Sequence, residues 1–316
     1  MRTALLLAAS LVTFSAAPVR GQDPPAAPTK GGQLQIDLVA VDRQGNPVPD
    51  LKPGDVEVWL EGYRIPIESL TALSDNDERR HRSVVLILDD MTIPPDMVPR
   101  IRQAAQRVVE GIEPADRISM GTLSGAGLLT VKDAAAVRQA IDRFNVRATA
   151  PIRPDDLAAH VFATLTNIAR QVAETPGHRK TVITIGPGWV FDTPVPPAGS
   201  SRNLRDEWTT ALRAMAGANV ALYVVDPGGV GTTRASTGSA GLASDTGGHA
   251  FMNTNDLTGA VDRILMEASG YYIVRFEDPP FFRAAPLRKL EVRSKRRNVT
   301  VRARELIPGT PGATKE

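Results

Sequence analysis

The 316 residues contain no cysteine. This excludes disulfides, thiolate nucleophiles and Cys-ligated metals, and leaves core packing to hold the fold together. Histidine is scarce. His81, His160, His178 and His249 lie far apart and form no His-Glu-x-x-His or other zinc spacing. Charge of one sign is also missing, with 37 basic residues against 35 acidic. Two of the basic residues, Arg2 and Arg20, lie in the leader described next, so the rest of the chain has 35 of each sign. Such a balance gives no global steering toward nucleic acid or an anionic membrane.

Long apolar runs are absent after the first. Met1 and Arg2 precede an apolar stretch over residues 4–14, broken only by Ser10 and Thr13, and then the small residues Ser15, Ala16 and Ala17. The run is too short to span a bilayer and has the layout of a secretory signal over residues 1–21. A proline-rich leader without structure is expected over residues 22–32. The expected location is therefore outside the cytoplasm, periplasmic or secreted, with no transmembrane segment. No cysteine is present to carry a lipoprotein anchor.

From Leu34 the pattern alternates like a half-buried strand, with Leu34, Ile36 and Leu38 on one side and Gln35 and Asp37 on the other. Asp42, Gly45, Asn46 and Pro47 mark a turn, and strands are expected over 56–60 and 65–70. Three short strands over residues 33–73 cannot bury a core alone. A charged linker over 74–80 leads to an α/β unit over 82–270. There, a continuous apolar run at 84–88 and further strands at 181–185 and 220–225 alternate with helical stripes, such as Ile101, Ala104, Ala105, Val108 and Ile112. Period-two alternation returns over 271–305, ahead of a tail over 306–316. The expected fold is α/β: a doubly wound parallel sheet with a small flanking β-sandwich formed by both chain ends, 271–305 pairing with 33–73.

An apolar strand ending in Asp89-Asp90, followed by a helix and by Gly111-Ile112-Glu113-Pro114-Ala115-Asp116-Arg117-Ile118, resembles a von Willebrand factor A (VWFA) domain. The nearer resemblance is to the VWFA-related domain of exported, acidobacterial-type proteins. It is carried by the 42–51 turn motif, by Ala243-Ser244-Asp245-Thr246-Gly247-Gly248 and by Ser269-Gly270-Tyr271-Tyr272. It covers about residues 34–304. It implies a Rossmann-like fold, ligands at the carboxyl edge of the sheet, and a role mainly in protein–protein contact. The family's metal-ion-dependent adhesion site uses Asp-x-Ser-x-Ser, a loop Thr and a late Asp, all oxygen donors for Mg²⁺ or Ca²⁺. Here Asp89 fits the first position, but Met91 and Ile93 stand at the two serines. A shift by one residue admits Asp90 and Thr92 but then meets Pro94. Thr149 could supply the loop ligand, and Gly186 stands where the late Asp would be. With so few ligands left, no cofactor is expected and Mg²⁺ or Ca²⁺ should bind weakly, Asp89 and Asp90 capping the following loop instead.

Enzyme signatures are incomplete. Asp245-Thr246-Gly247 spells the aspartic-protease triplet, but a second copy to share the proton is missing, so it reads as a glycine turn. Gly121-Thr122-Leu123-Ser124-Gly125 misses the nucleophile elbow by one position. A basic cluster (Arg288, Lys289, Arg293, Lys295, Arg296, Arg297, Arg302 and Arg304) has only Glu291 against it and no interleaved aromatic. It reads as a solvated hairpin that guards a sheet edge, not as a nucleic-acid surface. The function expected is a protein-interaction module and no enzyme, docking a protein partner through the loops after Asp89, Thr122, Gly186 and Asp226. Trp189 and Phe191 are the candidate partner-binding rings, with a local core as the equal alternative. The rival functions are a metal-assisted hydrolase using Asp89, Asp90 and Asp226, and a structural envelope component.

Overall fold

The structure, a computed structural model, describes residues 32–73, 81–127, 133–147, 152–175, 179–189, 204–230, 237–279 and 285–309. The expected signal and leader, Thr149 and Phe191 lie outside the described residues.

The chain opens with β1 (Gln33–Val41), β2 (Val56–Leu60), β3 (Tyr63–Ile65) and β4 (Ile67–Ala72). Where a single third strand was expected from Ile65, Pro66 separates two. It has no N–H to donate to a ladder, and the chain changes sheets there: β3 pairs with β2, while β4 joins the other sheet.

The α/β unit follows. It runs β5 (Ser83–Leu88), α1 (Val98–Glu110), β6 (Arg117–Thr122), α2 (Ala134–Arg143), α3 (Pro154–Val172), β7 (Lys180–Ile185), α4 (Leu204–Gly217), β8 (Val220–Val225), α5 (Thr237–Thr246), β9 (Ala250–Phe251) and α6 (Leu257–Ser269). The strands form one parallel five-stranded sheet in the order β6-β5-β7-β8-β9. Every residue of β5, β7 and β8 is buried, the polar Ser83, Lys180, Thr181 and Thr184 included, as in strands covered on both faces. One face packs on α1, α2 and α6 through Ile101, Val108, Val137 and Ile264. The other packs on α3 and α4 through Phe162, Leu165, Leu212 and Met215. Asp133 caps α2 by accepting from the N–H groups of Ala135 and Ala136, as its position before the helical stripe predicts.

Helix α5 corrects the sequence reading. Asp245-Thr246-Gly247 is the end of a helix and not a free turn, with Gly247 beyond the last residue at φ +80°. The Thr246 hydroxyl turns back onto the Leu242 and Ala243 carbonyls. Gly248 explains why the chain can then pass so close to the sheet. A Cβ there would stand 1.8 Å from the Leu222 carbonyl oxygen.

The last strands are β10 (Tyr271–Glu277), β11 (Leu287–Ser294), β12 (Thr300–Arg302) and β13 (Leu306–Pro308). The two chain ends pair as the alternation predicts. One sheet runs β12-β1-β10-β4 and the other β13-β11-β2-β3, all antiparallel. They enclose a shared core of Ile36, Leu38, Val58, Leu60, Val274, Phe276 and Leu290. Two expectations fail here. Residues 306–308 are a strand, not tail. Residues 288–304 are not a hairpin either, because β11 and β12 lie in different sheets.

The sandwich meets the α/β unit at the end where the parallel strands begin. Buried Asp37 of β1 faces Arg179, which precedes β7, at 3.7 Å and accepts from Asn219, which precedes β8, at 2.8 Å. Arg179 also donates to the Gly247 carbonyl at 2.7 Å and to the Tyr223 hydroxyl at 3.2 Å. Arg304 donates to Asn219, and Arg302 pairs with buried Glu267 of α6. Burial lowers the Arg304 pKa to about 10.

These contacts correct in part the reading of the basic cluster as a solvated patch: Lys289, Arg293, Lys295 and Arg297 are exposed, but Arg288 and Arg304 are buried. Arg288 is fully buried and paired with Asp278, Arg293 with Glu291, Arg296 with Asp50, and Lys295 with Glu57.

At the same junction, burial and then the nearby Glu305 raise the Asp245 pKa to about 7. A carboxyl whose folded pKa exceeds its unfolded value near 3.8 destabilises the fold when ionised. Stability is therefore expected to rise as pH falls from about 7 toward 4, by at most about 1.4 kcal/mol per unit. Asp245→Asn should remove that part of the slope. Urea midpoints measured at pH 5 and pH 8 for both proteins check it, and identical slopes would contradict it.

Candidate functional site at the carboxyl edge of the parallel sheet

The order β6-β5-β7-β8-β9 places a topological switch between β5 and β7, where the chain winds first one way and then the other. In open α/β sheets ligands bind outside the carboxyl ends of the strands at such a point. The residues there are Asp89, which continues the ladder by donating to the Ile185 carbonyl at 3.1 Å, and Gly186, which donates to Val225 at 3.0 Å. Asp89 and Gly186 are therefore neighbours. A Cβ on Gly186 would lie 2.6 Å from the Asp89 Cβ, so Asp89 fills the space a side chain at 186 would need.

Both carboxylates are committed to the loops. Asp89 Oδ1 accepts from the Met91 and Thr92 N–H groups at 2.9 Å, and Oδ2 accepts from the Thr92 hydroxyl at 2.5 Å. Burial raises its pKa; the Thr92 and Met91 hydrogen bonds oppose this, and neighbouring Asp90 adds to it. Asp90 binds the next loop, accepting from the Ser124 N–H at 2.9 Å and from its hydroxyl at 2.5 Å. These are the capping roles expected of a short acidic pair after a strand. Asp226 ends β8 and accepts from the Gly228 N–H at 2.8 Å. Strands β5 and β8 are two places apart, roughly 10 Å at the usual strand spacing, so Asp226 is not brought to the Asp89 pair.

The residues present do not fit a hard cation, which takes six or more oxygens. Gly186 offers no side chain and no room for one, and no group of three acidic or histidine side chains that could hold a metal ion occurs among the described residues. Calorimetry with Mg²⁺, Mn²⁺ and Ca²⁺ is expected to show no binding tighter than about millimolar. A micromolar dissociation constant abolished by Asp89→Ala would overturn this.

Trp189 is placed differently from the exposed ring that docking would need. It is 2% exposed and packs among the residues of the α3–α4 face, so the alternative of a local core describes it. Its backbone N–H donates to the Ser239 hydroxyl at 2.5 Å, tying the loop after β7 to α5. His160 approaches the Leu123 carbonyl at 2.7 Å through Nε2, which makes it a loop support.

Sequence reasoning missed Arg147 and met Ser124 only as part of an incomplete nucleophile elbow. Ser124 links two loops through Asp90, and the Arg147 guanidinium lies 3.2 Å from the Ser124 hydroxyl while its backbone N–H donates to the Asp90 carbonyl at 2.8 Å. Only proximity in the fold reveals these roles.

The architecture is thus a parallel five-stranded α/β sheet with helices on both faces, joined to an antiparallel sandwich. No family profile matches the chain, and no curated protein matches it. Solved structures similar to it include a D319A mutant of the PilB minor pilin from Streptococcus sanguinis (TM-score 0.35, 10% identity, 65% of this chain and 63% of that one). Manganese-loaded TRAP protein of Plasmodium vivax gives TM-score 0.39 at 10% identity over 77% of this chain and 98% of that one. The TFIIH p34 N-terminal domain gives 0.33 at 12% identity over 60% and 99%. The matched part of the pilin is thus less than two thirds of its length.

Proposed function

We propose that this chain is an exported VWFA-type protein-interaction module, not an enzyme, that docks a protein partner at the carboxyl edge of its parallel sheet without a complete metal site. One observation carries the reading. The sandwich contacts described above fall where the parallel strands begin and on the adjoining helices, and leave the loops at the switch point to the opposite end. Asp89 and Asp90 supply the rigidity, since each carboxylate fixes a loop and does so with hydrogen bonds instead of chemistry. A preformed surface loses less conformational entropy on binding. The balanced charge supports a protein partner over nucleic acid.

Two exposed apolar side chains separate this from the envelope-component reading. Val230, 70% exposed, follows β8 at the carboxyl edge, and Tyr63, 60% exposed, lies on the edge strand β3 of the sandwich. Affinity capture from an envelope extract should lose its specific partner with Val230→Glu and keep it with Tyr63→Glu. The reverse pattern would move the docking surface to the sandwich.

A further inference from the structure

We propose that the partner segment seated on the carboxyl edge is acidic, held by the guanidinium groups of Arg147 and Arg100; this rests on reading that edge as the docking surface. The two arginines flank the loop that follows β5. Arg147 is exposed and stands on the β6 side, beside Ser124. Arg100, in the first turn of α1, stands on the β8 side. There a Cβ added to Gly229 would come within 3.2 Å of its Nη1 and 2.4 Å of the Asn255 Oδ1.

Neither guanidinium forms an ion pair with a described residue. Asp96 lies one helical turn before Arg100, but no ion pair joins them. The three carboxylates that directly follow β5 and β8 are already used. Asp89 and Asp90 are buried and hydrogen-bonded to their own loops, and Asp226 to Gly228. In the sandwich, Arg64, Arg288, Arg293, Arg296 and Arg302 each meet a carboxylate, while Arg275 and Arg304 meet neutral side chains. Among the described residues, then, neither donor fork meets a carboxylate, and Arg147 is held only by the neutral Ser124 hydroxyl.

Arg147 is also held ready. Its backbone N–H is fixed to the Asp90 carbonyl and its head group rests against the Ser124 hydroxyl, so little rotamer freedom remains to be lost. A carboxylate accepts a guanidinium fork bidentately, which favours Asp or Glu side chains over isolated neutral acceptors. Val230, next to Gly229, adds an apolar contact on the Arg100 side. The chemistry fits an acidic peptide segment that carries an apolar residue.

The test uses fluorescein-labelled octaglutamate, octaserine and octalysine peptides with the full chain at low salt. Octaglutamate is expected to bind, to weaken as salt rises, and to lose about tenfold in affinity with Arg147→Ala and again with Arg100→Ala. Arg43→Ala, in the exposed turn of the sandwich, should change nothing, and circular dichroism should show every variant folded. Octaglutamate binding no better than octaserine, or binding the double variant as well as the wild type, overturns the proposal. Partner capture that depends on Val230 but ignores both arginines overturns the acidic partner alone. Capture indifferent to Val230 as well removes the docking surface itself.

Discussion

Arg179→Met is expected to destabilise the protein by about 3–5 kcal/mol, the cost of breaking a buried charge pair and leaving one partner behind. Arg179 is 4% exposed and holds three separate elements at once: Asp37 of β1, Gly247 after α5 and Tyr223 of β8. Its loss leaves Asp37 at 3% exposure without its guanidinium neighbour, with Asn219 still donating to it and Arg304 and Lys180 acting on it from nearby. Asp37→Leu in the same chain should restore part of the loss, because the remaining charge goes with it. Urea unfolding followed by fluorescence reads both bodies, since Trp59 lies in the sandwich and Trp189 and Trp208 in the α/β unit. A loss under about 1 kcal/mol, the range of an exposed pair, would mean that the junction does not bind the two bodies together.

Gly186→Asp restores the late acid of the adhesion motif that the sequence resembles, and is nevertheless expected to damage the protein. Its Cβ would fall 2.6 Å from the Asp89 Cβ and 3.1 Å from Oδ2. Overpacking of this kind costs about 1–3 kcal/mol, and a second carboxylate beside buried Asp89 adds like-charge repulsion. The variant should melt earlier and still show no cation binding by calorimetry. If it stayed as stable as the wild type and bound Mg²⁺ at micromolar levels, the edge would be an adhesion site lacking a single ligand.

The legibility of this chain followed the length of its signals. Continuous apolar runs at 84–88 and 220–225 and the β-branched run at 181–185 mark buried strands, and Asp133 before a helical stripe marks a cap. The pairing of the chain ends was legible as a need, because neither set of strands could bury a core alone. Helix α5 was not. Its residues are small and polar and carry no apolar stripe, so its helicity comes from packing between β8, β9 and α4.

The basic cluster misled for a different reason. The acids that neutralise Arg296 and Arg302, Asp50 and Glu267, lie far away in sequence and meet them only after folding. At the site, Asp89 caps the following loop as expected, whereas the Asp90 carboxylate reaches the loop after β6, a contact that no local pattern foretells. Trp189 was ambiguous, since an aromatic ring at a strand end suits a core and a surface equally, and Ser239 and its neighbours decide for the core.

Hydrogen exchange of the full chain, alone and with the partner captured from extract, tests the docking edge most directly. The account predicts slowed exchange in the loops at 90–94, 123–127 and 226–230, with the β3 and β4 edge of the sandwich unchanged. Protection confined to β3 and β4, with those three loops exchanging as in the free protein, would contradict it.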